Sequence, residues 1–362
     1  MKNDASNPSG SPMAPRAADA GEAVGSTSWQ SQSTKLGLAR LRAELSKVPE
    51  IAAYAGQSRH DRRCWPDLLF AAVTLLGGIA LVVHGAGRNL LPMAAGSILL
   101  VLCLSCVSSL NHDAWHRHLS RSERFNDLVA SWFLSPLLVA DFEVQQRNHF
   151  RHHAYLGEAA DPDGQLYRMS TGAFVRMLLA RALVVPYLLK IAGLRQEASA
   201  NRVDERLLRA SSLVRIALVH GAWFGAVVLG AWLVHQTVLA VATAVLFGYL
   251  LPLLLGSFMI AIRGHREHFV DGVSGKTVSF DTDCFFFERW LIAGGEFNWH
   301  ACHHLFPEVP QRRLPGLGKL IARSAEAARF YDAAGSPIAA KSSYFTAVPD
   351  RLAVTAVAAD RH

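Results

Sequence analysis

The sequence predicts an all-α integral membrane protein: four transmembrane helices in two hairpins, with a cytoplasmic helical cap that carries clusters of histidine. Three observations predict it. The 362 residues are 51% hydrophobic, with a mean hydropathy of +0.19, too apolar for an ordinary soluble chain of this length. Four apolar runs approach the roughly 20 residues that a spanning helix needs. Lys and Arg are concentrated in the parts between and outside the two pairs of runs, with Arg88 and Arg215 as exceptions.

In chain order, residues 1–34 are rich in Ala, Ser, Gly and Pro, show no secretory signal and read as a disordered leader. Residues 35–330 form the membrane domain, and residues 331–362 a C-terminal tail. Lys35 to Val48 places Leu38, Leu41, Leu45 and Val48 at helical spacing among Arg40, Arg42 and Lys47. That pattern fits an amphipathic helix lying either on the bilayer surface or on the protein's own cap. The expected spans are residues 66–84, 91–110, 213–234 and 238–262, the first pair joined by the tight linker "HGAGRNLLP". Asp127 to Ala140 is apolar but short, and Ala173 to Leu194 is interrupted by Arg176, Arg181, Pro186 and Lys190. Both read as interfacial or cap helices.

The formal charge is +7, with a pI near 9.3. Beside long apolar runs, this excess reads as charge at a membrane surface and not as a nucleic-acid footprint. The linkers within the pairs carry almost no charge apart from Arg88, whereas Arg59, Arg62, Arg63, Arg117, Arg121, Arg124, Arg147, Arg151, Arg263, Arg266, Arg312 and Arg313 flank them. The positive-inside rule then turns all three charged parts to the cytoplasm of an inner or plasma membrane. The five cysteines form no disulfide framework, and "CLSC" (Cys103 to Cys106) lies inside an apolar run, where small packing residues are expected.

Of 16 histidines, eleven fall in four clusters: His112, His116 and His118; His149, His152 and His153; His265 and His268; His300, His303 and His304. The predicted topology puts every cluster on one side of the membrane. His60, His84, His220, His235 and His362 are scattered and read as hydrogen-bonded structural residues. In "HDAWH", "HFRHH" and "HACHH" the spacings are i, i+3 and i, i+4, so on helices each set shares a face. So many imidazoles packed together without metal would leave many ring nitrogens to satisfy and would repel on protonation. An imidazole donor set suits zinc, copper, iron or nickel rather than magnesium or calcium. A structural zinc takes four ligands, so eight or nine candidates imply two ions, and a redox centre ahead of a structural one.

The ordered set resembles the membrane fatty acid desaturases of the histidine-box, non-haem di-iron superfamily. "NHDAWH" is similar to the first box. "HFRHHAYLGEAADPDG" is similar to the second box with its trailing Asp-Pro-Asp, and "NWHACHHLFPEVPQRRLPGL" to the third with its Leu-Phe-Pro. The match runs from about Leu68 to Ile321. The resemblance implies two iron ions that activate O2, and removal of hydrogen from an unactivated C–H bond of a lipid acyl chain. It assigns as metal ligands His112, His116, His149, His152, His153, His268, His300, His303 and His304.

Several neighbours stay open. His265, one turn before His268, is a further candidate ligand. Two roles are open to Asn298: completing a metal shell, directly or through water, or capping and hydrogen bonding. His118 is expected behind the ligands or at the surface, and Cys302, where the family often has glutamate, is expected to point away from them. Ligating histidines donate their second N–H to carboxylates or carbonyls, which makes Asp113, Asp161, Asp163, Glu267 and Asp271 candidate supports. No cytochrome b5 His-Pro-Gly-Gly stretch and no clustered-cysteine motif occurs, so electrons are expected from an external donor such as ferredoxin with its reductase. Hydroxylation, carotenoid ketolation and acetylenic desaturation are the alternatives on the same centre. A metal transporter is a distant one, because it wants polar ligands near mid-bilayer.

Overall fold

The structure is a computed structural model that describes residues 36–58, 64–182, 209–270, 277–324 and 338–345. The leader, Arg59, His60, Arg62, Arg63, Pro186, Lys190, Asp271 and His362 lie outside the described residues.

Four helices are long and apolar enough to cross a membrane: Trp65–Gly85, Leu90–Trp115, Ala210–His235 and Val238–Arg266. They are α3, α4, α9 and α10 below; α1 is residues 36–45 and α2 is Pro49–Ser58. Their starts are written locally. Pro66 occupies the first turn of α3, where a missing N–H costs nothing. Asn89 caps α4, its Oδ1 accepting from the Leu91 N–H at 3.0 Å. Gln236 takes the left-handed conformation that ends α9, and Thr237 caps α10 at once. Residues 86–89 and 236–237 are the only links within the two pairs. α3 and α4 pack at glycines: a Cβ on Gly96 would stand 2.6 Å from the Gly78 carbonyl oxygen, so the two backbones touch.

α4 and α10 run further than their apolar composition, to Trp115 and Arg266, so His112 and His265 sit on the long helices themselves. A helix needs backbone partners and not hydrophobicity to continue, and these last turns are buried in the protein.

Between the pairs, α5 (Glu123–Val129) continues through a π-helical turn, Ala130–Leu134, to Ser135–Leu137. Then come α6 (Phe142–Tyr155), α7 (Gly164–Tyr167) and α8 (Thr171–Ala182). None of these is long enough to span. After α10 the chain forms β1 (His268–Val270), β2 (Thr277–Thr282), α11 (Phe286–Leu291), α12 (His300–Leu305), α13 (Leu314–Arg323) and β3 (Ile338–Lys341). β1 pairs antiparallel and β3 parallel with β2.

This sheet corrects the all-α expectation: the described residues are mostly helical, with one small sheet whose middle strand is buried. Every residue of β2, "TVSFDT", is buried, so it shows none of the alternation that marks a strand with one wet face. α1 packs on the protein's own cap. Leu41 and Leu45 join Ile51, Leu305, Leu314 and Leu317 in one buried cluster. Two of the scattered histidines are hydrogen-bonded as expected. His220 donates from Nε2 to the Pro136 carbonyl at 3.0 Å, and His235 Nε2 donates to that of Val83 at 2.7 Å.

Candidate metal centre

Three helices and one strand bring the clusters together. His112 lies in the last turn of α4, and His116 stands just past its end. Buried Asn126 fixes that turn: its Nδ2 donates to the Ala114 carbonyl at 3.0 Å, and its Oδ1 accepts from the Leu119 N–H at 3.2 Å. α6 carries His149, His152 and His153. Its cap, Asp141, accepts from the Glu143 and Val144 N–H groups and from Arg209 Nε (2.8 Å) and Ser212 Oγ (2.8 Å). The second cluster is thereby tied to the start of α9. His268 opens β1, and α12 carries His300, His303 and His304. The third cluster is held on β2, where Asp281 accepts from the Cys302 backbone N–H and thiol, each at 3.0 Å. Cys302 thus faces β2, and its neighbours His303 and His304 face the centre.

The nine histidines fall into two groups. His112, His116, His149, His153 and His303 form one; His152, His268, His300 and His304 form the other; within each, the ligand atoms lie within 4.8 Å of one another. In the first, His149 Nε2 is 2.8 Å from that of His116 and 2.9 Å from that of His153, which is 3.0 Å from that of His303. In the second, His268 Nε2 is 3.1 Å from that of His152 and 2.9 Å from that of His300, which is 3.0 Å from that of His304.

A metal ion fits each group. Nitrogens bound about 2.0–2.1 Å from one ion sit roughly 2.9–3.4 Å apart, and the observed spacings are close to those edges. Hydrogen bonding alone serves the groups poorly, because a neutral imidazole has one N–H and several of these Nε2 atoms face two others. His112 Nε2 is buried without a partner, as are His300 Nδ1 and Asn298 Oδ1. Burial and neighbouring imidazoles hold His149, His268, His300, His303 and His304 well below the usual histidine range, and hold His153 down to about 3. These six rings are therefore neutral, with lone pairs available to a metal.

Behind the rings lies a second set of groups. His152 Nδ1 donates to Asp161 Oδ1 at 2.8 Å, and Asp161 also accepts from the Tyr167 hydroxyl at 2.6 Å. Burial pushes His152 down, but the Asp161 charge and hydrogen bond raise it above the ordinary value. His268 Nδ1 meets Ser279 Oγ at 3.1 Å, and His112 Nδ1 meets the Gln311 side-chain amide at 3.1 Å. Glu267 is buried 3.8 Å from His300 Nδ1 and 3.4 Å from Arg263 Nε, and burial pushes its carboxyl up to about 7. The Phe297 ring lies 4.2 Å from that of His112 and 5.0 Å from that of His300, touching both groups, with the Arg263 guanidinium over it.

The remaining candidates are placed as follows. His118 stacks on His116 at 5.4 Å, with Asp113 3.7 Å from its Nδ1. Asp113 accepts from the Gln311 N–H. Asp163 is exposed, 3.8 Å from His152. His265 lies outside both groups: it donates from Nδ1 to the Leu166 carbonyl and stacks on Phe174 at 4.1 Å. Asn298 donates to the Thr282 carbonyl at 2.7 Å, which leaves its Oδ1 unpaired. Sequence reasoning missed Gln311, Ser279, Asp281 and Phe297. Each is a single residue without a local pattern. Asp141 did carry a signal, as an Asp directly before a helix with Glu in its first turn.

A family model for fatty acid desaturases matches residues 88–333 of the 362. No curated protein and no solved structure matches the chain.

Proposed function

The chain belongs to the fatty acid desaturase family, and from that premise we propose that it inserts a double bond into a fatty acyl chain, using O2 and electrons from an external donor. The observation that carries this reading is the partition of nine histidines into two groups with none left over. Two iron ions, when bound, supply the activation of O2 and the oxidising power to take hydrogen from two neighbouring methylenes. The balance is one O2 reduced to two waters, by two hydrogens of the acyl chain together with two electrons and two protons from the donor side.

The protein's own part is to hold, orient and exclude. His112, His116, His149, His153 and His303 would hold one ion, and His152, His268, His300 and His304 would hold the other. Asp161, Ser279 and Gln311 fix ring orientation from the Nδ1 side. Asn298 Oδ1 is buried without a partner two residues before His300, which supports a role in completing that shell, directly or through water, beside its bond to the Thr282 carbonyl. Phe297 keeps water from the rings it touches.

In this reading the four helices form two hairpins in a cell inner or plasma membrane. The short links 86–89 and 236–237 support the hairpins. The Lys and Arg bias supports a cap on the cytoplasmic side, within reach of a donor such as ferredoxin with its reductase. The test is expression in a host of known lipid content, with lipid mass spectrometry and an iron count on the purified protein. New unsaturation and two irons per chain are expected. An added oxygen would move the reading to hydroxylation or ketolation, and full activity without iron would sink it.

A further inference from the structure

Between β2 and α12 the chain reads "CFFFERWLIAGGEF", Cys284 to Phe297. Phe285, Phe286 and Phe287, at the start of α11, are 68%, 62% and 61% exposed, too much contiguous aromatic surface for a segment in water. Phe345 is 62% exposed beside them, since its neighbours Ser343 and Tyr344 bond to Glu288. We propose that residues 284–294 sit within the bilayer, with Phe285, Phe286 and Phe287 inserted among lipid acyl chains. This rests on the four long helices being membrane spans, and not on the desaturation chemistry.

Depth carries the inference. Ser105 Oγ donates to the Leu291 carbonyl, and Ser109 Oγ to that of Ala293 at 2.6 Å. A Cβ on Gly294 would stand 2.1 Å from the Ser105 carbonyl oxygen, so the loop's backbone lies directly on α4. Ser105 precedes His112 by seven residues, which is roughly 10 Å along a helix that rises ~1.5 Å per residue. The segment therefore lies below the histidines, alongside the apolar part of α4. α3 gives the same level independently: the Trp290 ring packs on Phe70, in the second turn of that helix, at 5.1 Å.

Irregular backbone at membrane depth survives only where protein satisfies its polar groups. Here Ser105, Ser109 and Arg263 take the Leu291 and Ala293 carbonyls. The charges of the segment are tied down as well. Glu288 accepts from Ser343 Oγ and the Tyr344 N–H, and Arg289 pairs with Glu296. What remains for the outer face is phenylalanine, the side chain of interfacial anchors.

The test is a nitroxide label at Phe286→Cys, and separately at Phe287→Cys, in a Cys284→Ser background in phosphatidylcholine liposomes. Collision with O2 is compared with collision with a water-soluble nickel chelate. Leu69→Cys on α3, at a 65% exposed position, is the lipid reference, and Lys47→Cys, whose side chain is 70% exposed, is the aqueous one. The expected result is that both phenylalanine sites follow position 69, keeping O2 collisions and losing those with nickel. Labels that follow position 47 overturn the inference. Shielding from both reagents overturns it too, in favour of a second copy or another protein on this face. If position 69 itself behaves as aqueous, the spans fail together with the inference. No outcome depends on metal or activity, so a failed desaturase assay leaves this test standing.

Discussion

Asp161 stands directly behind His152 in the smaller histidine group. It is buried, it accepts a hydrogen bond from His152 Nδ1, and it is itself held by the Tyr167 hydroxyl and two backbone N–H groups. Burial alone would raise its carboxyl, but the His152 charge and these hydrogen bonds keep it below the usual range. Asp161→Asn replaces a pure acceptor with a group that can present N–H to Nδ1, which favours the wrong tautomer for binding through Nε2. Losing such a support weakens metal binding about 10- to 100-fold. The expectation is loss of one ion under mild chelation, with the other retained, read by metal analysis of the purified variant; equal loss of both would refute it. The division of labour along α6 shows what sequence reveals at this scale. At 100° per residue His149 and His153 point about 40° apart, and His152 about 60° to the other side. One face is therefore legible, but which ring serves which group is not. That choice belongs to His116 and His303 on one side and to His268 and His300 on the other.

At the scale of elements, the ends of helices do the positioning. Asp141 caps α6 and receives Arg209 and Ser212 from the start of α9, so one buried carboxylate sets the helix that feeds both histidine groups. Asp141→Ala removes the cap, at a cost of about 0.5–2 kcal/mol. The Arg209 pair adds only a little more, since the Arg209 side chain is 37% exposed. Asp141→Asn keeps the cap and should lose less. Thermal unfolding in detergent checks the order, wild type above Asn above Ala, and metal analysis should show both groups weakened in the Ala variant. The sign of the pH effect follows from a lowered pKa. Burial works against the charge, but Arg209 and Ser212 hold Asp141 below the ordinary range. Its contribution is full above the unfolded value of about 3.9 and is lost as pH falls through the folded value. A second element-scale prediction concerns Gly294, whose φ of +70° and contact with Ser105 leave no room for a side chain. Gly294→Ala should cost about 1–3 kcal/mol from overpacking and strain, read as a lowered melting temperature; an unchanged one would mean that the 284–294 segment does not rest on α4. Neither this contact nor the small sheet is visible in the sequence. The Gly294 contact and the β2–β3 pairing join residues far apart in the chain, and β2 is buried throughout.

At the scale of the whole molecule, the long helices were legible because spanning a bilayer is a property of local composition, and the boxes because helical spacing is local too. What composition conceals is the cost of gathering so many imidazoles in one dry volume, and that cost predicts how the protein responds to acid. Seven histidines outside the long helices, His116, His149, His153, His268, His300, His303 and His304, are held below their ordinary pKa by burial and by one another. In the unfolded chain each would titrate near about 6.5. Below that pH the unfolded state binds more protons than the folded one, so stability falls as pH falls, by up to about 1.4 kcal/mol per pH unit for each such ring. His152 runs the other way. Its raised pKa contributes stability below the unfolded value that is lost as pH rises through the folded one, but it is one ring against seven. Bound metal adds to the same slope, because it binds only the deprotonated rings and only the folded arrangement. The metal-free protein should therefore lose melting temperature steeply between pH 7.5 and 5.5 in detergent, about the unfolded histidine value of roughly 6.5. The metal-loaded protein should start higher and converge on the metal-free curve as acid displaces the ions. Replacing His303 and His304 with Gln should flatten the metal-free curve, since two of the suppressed rings are gone. A metal-free protein whose melting temperature ignores this pH range would show that the histidines are already charged in the folded state, and with that the two compact groups could not exist as described.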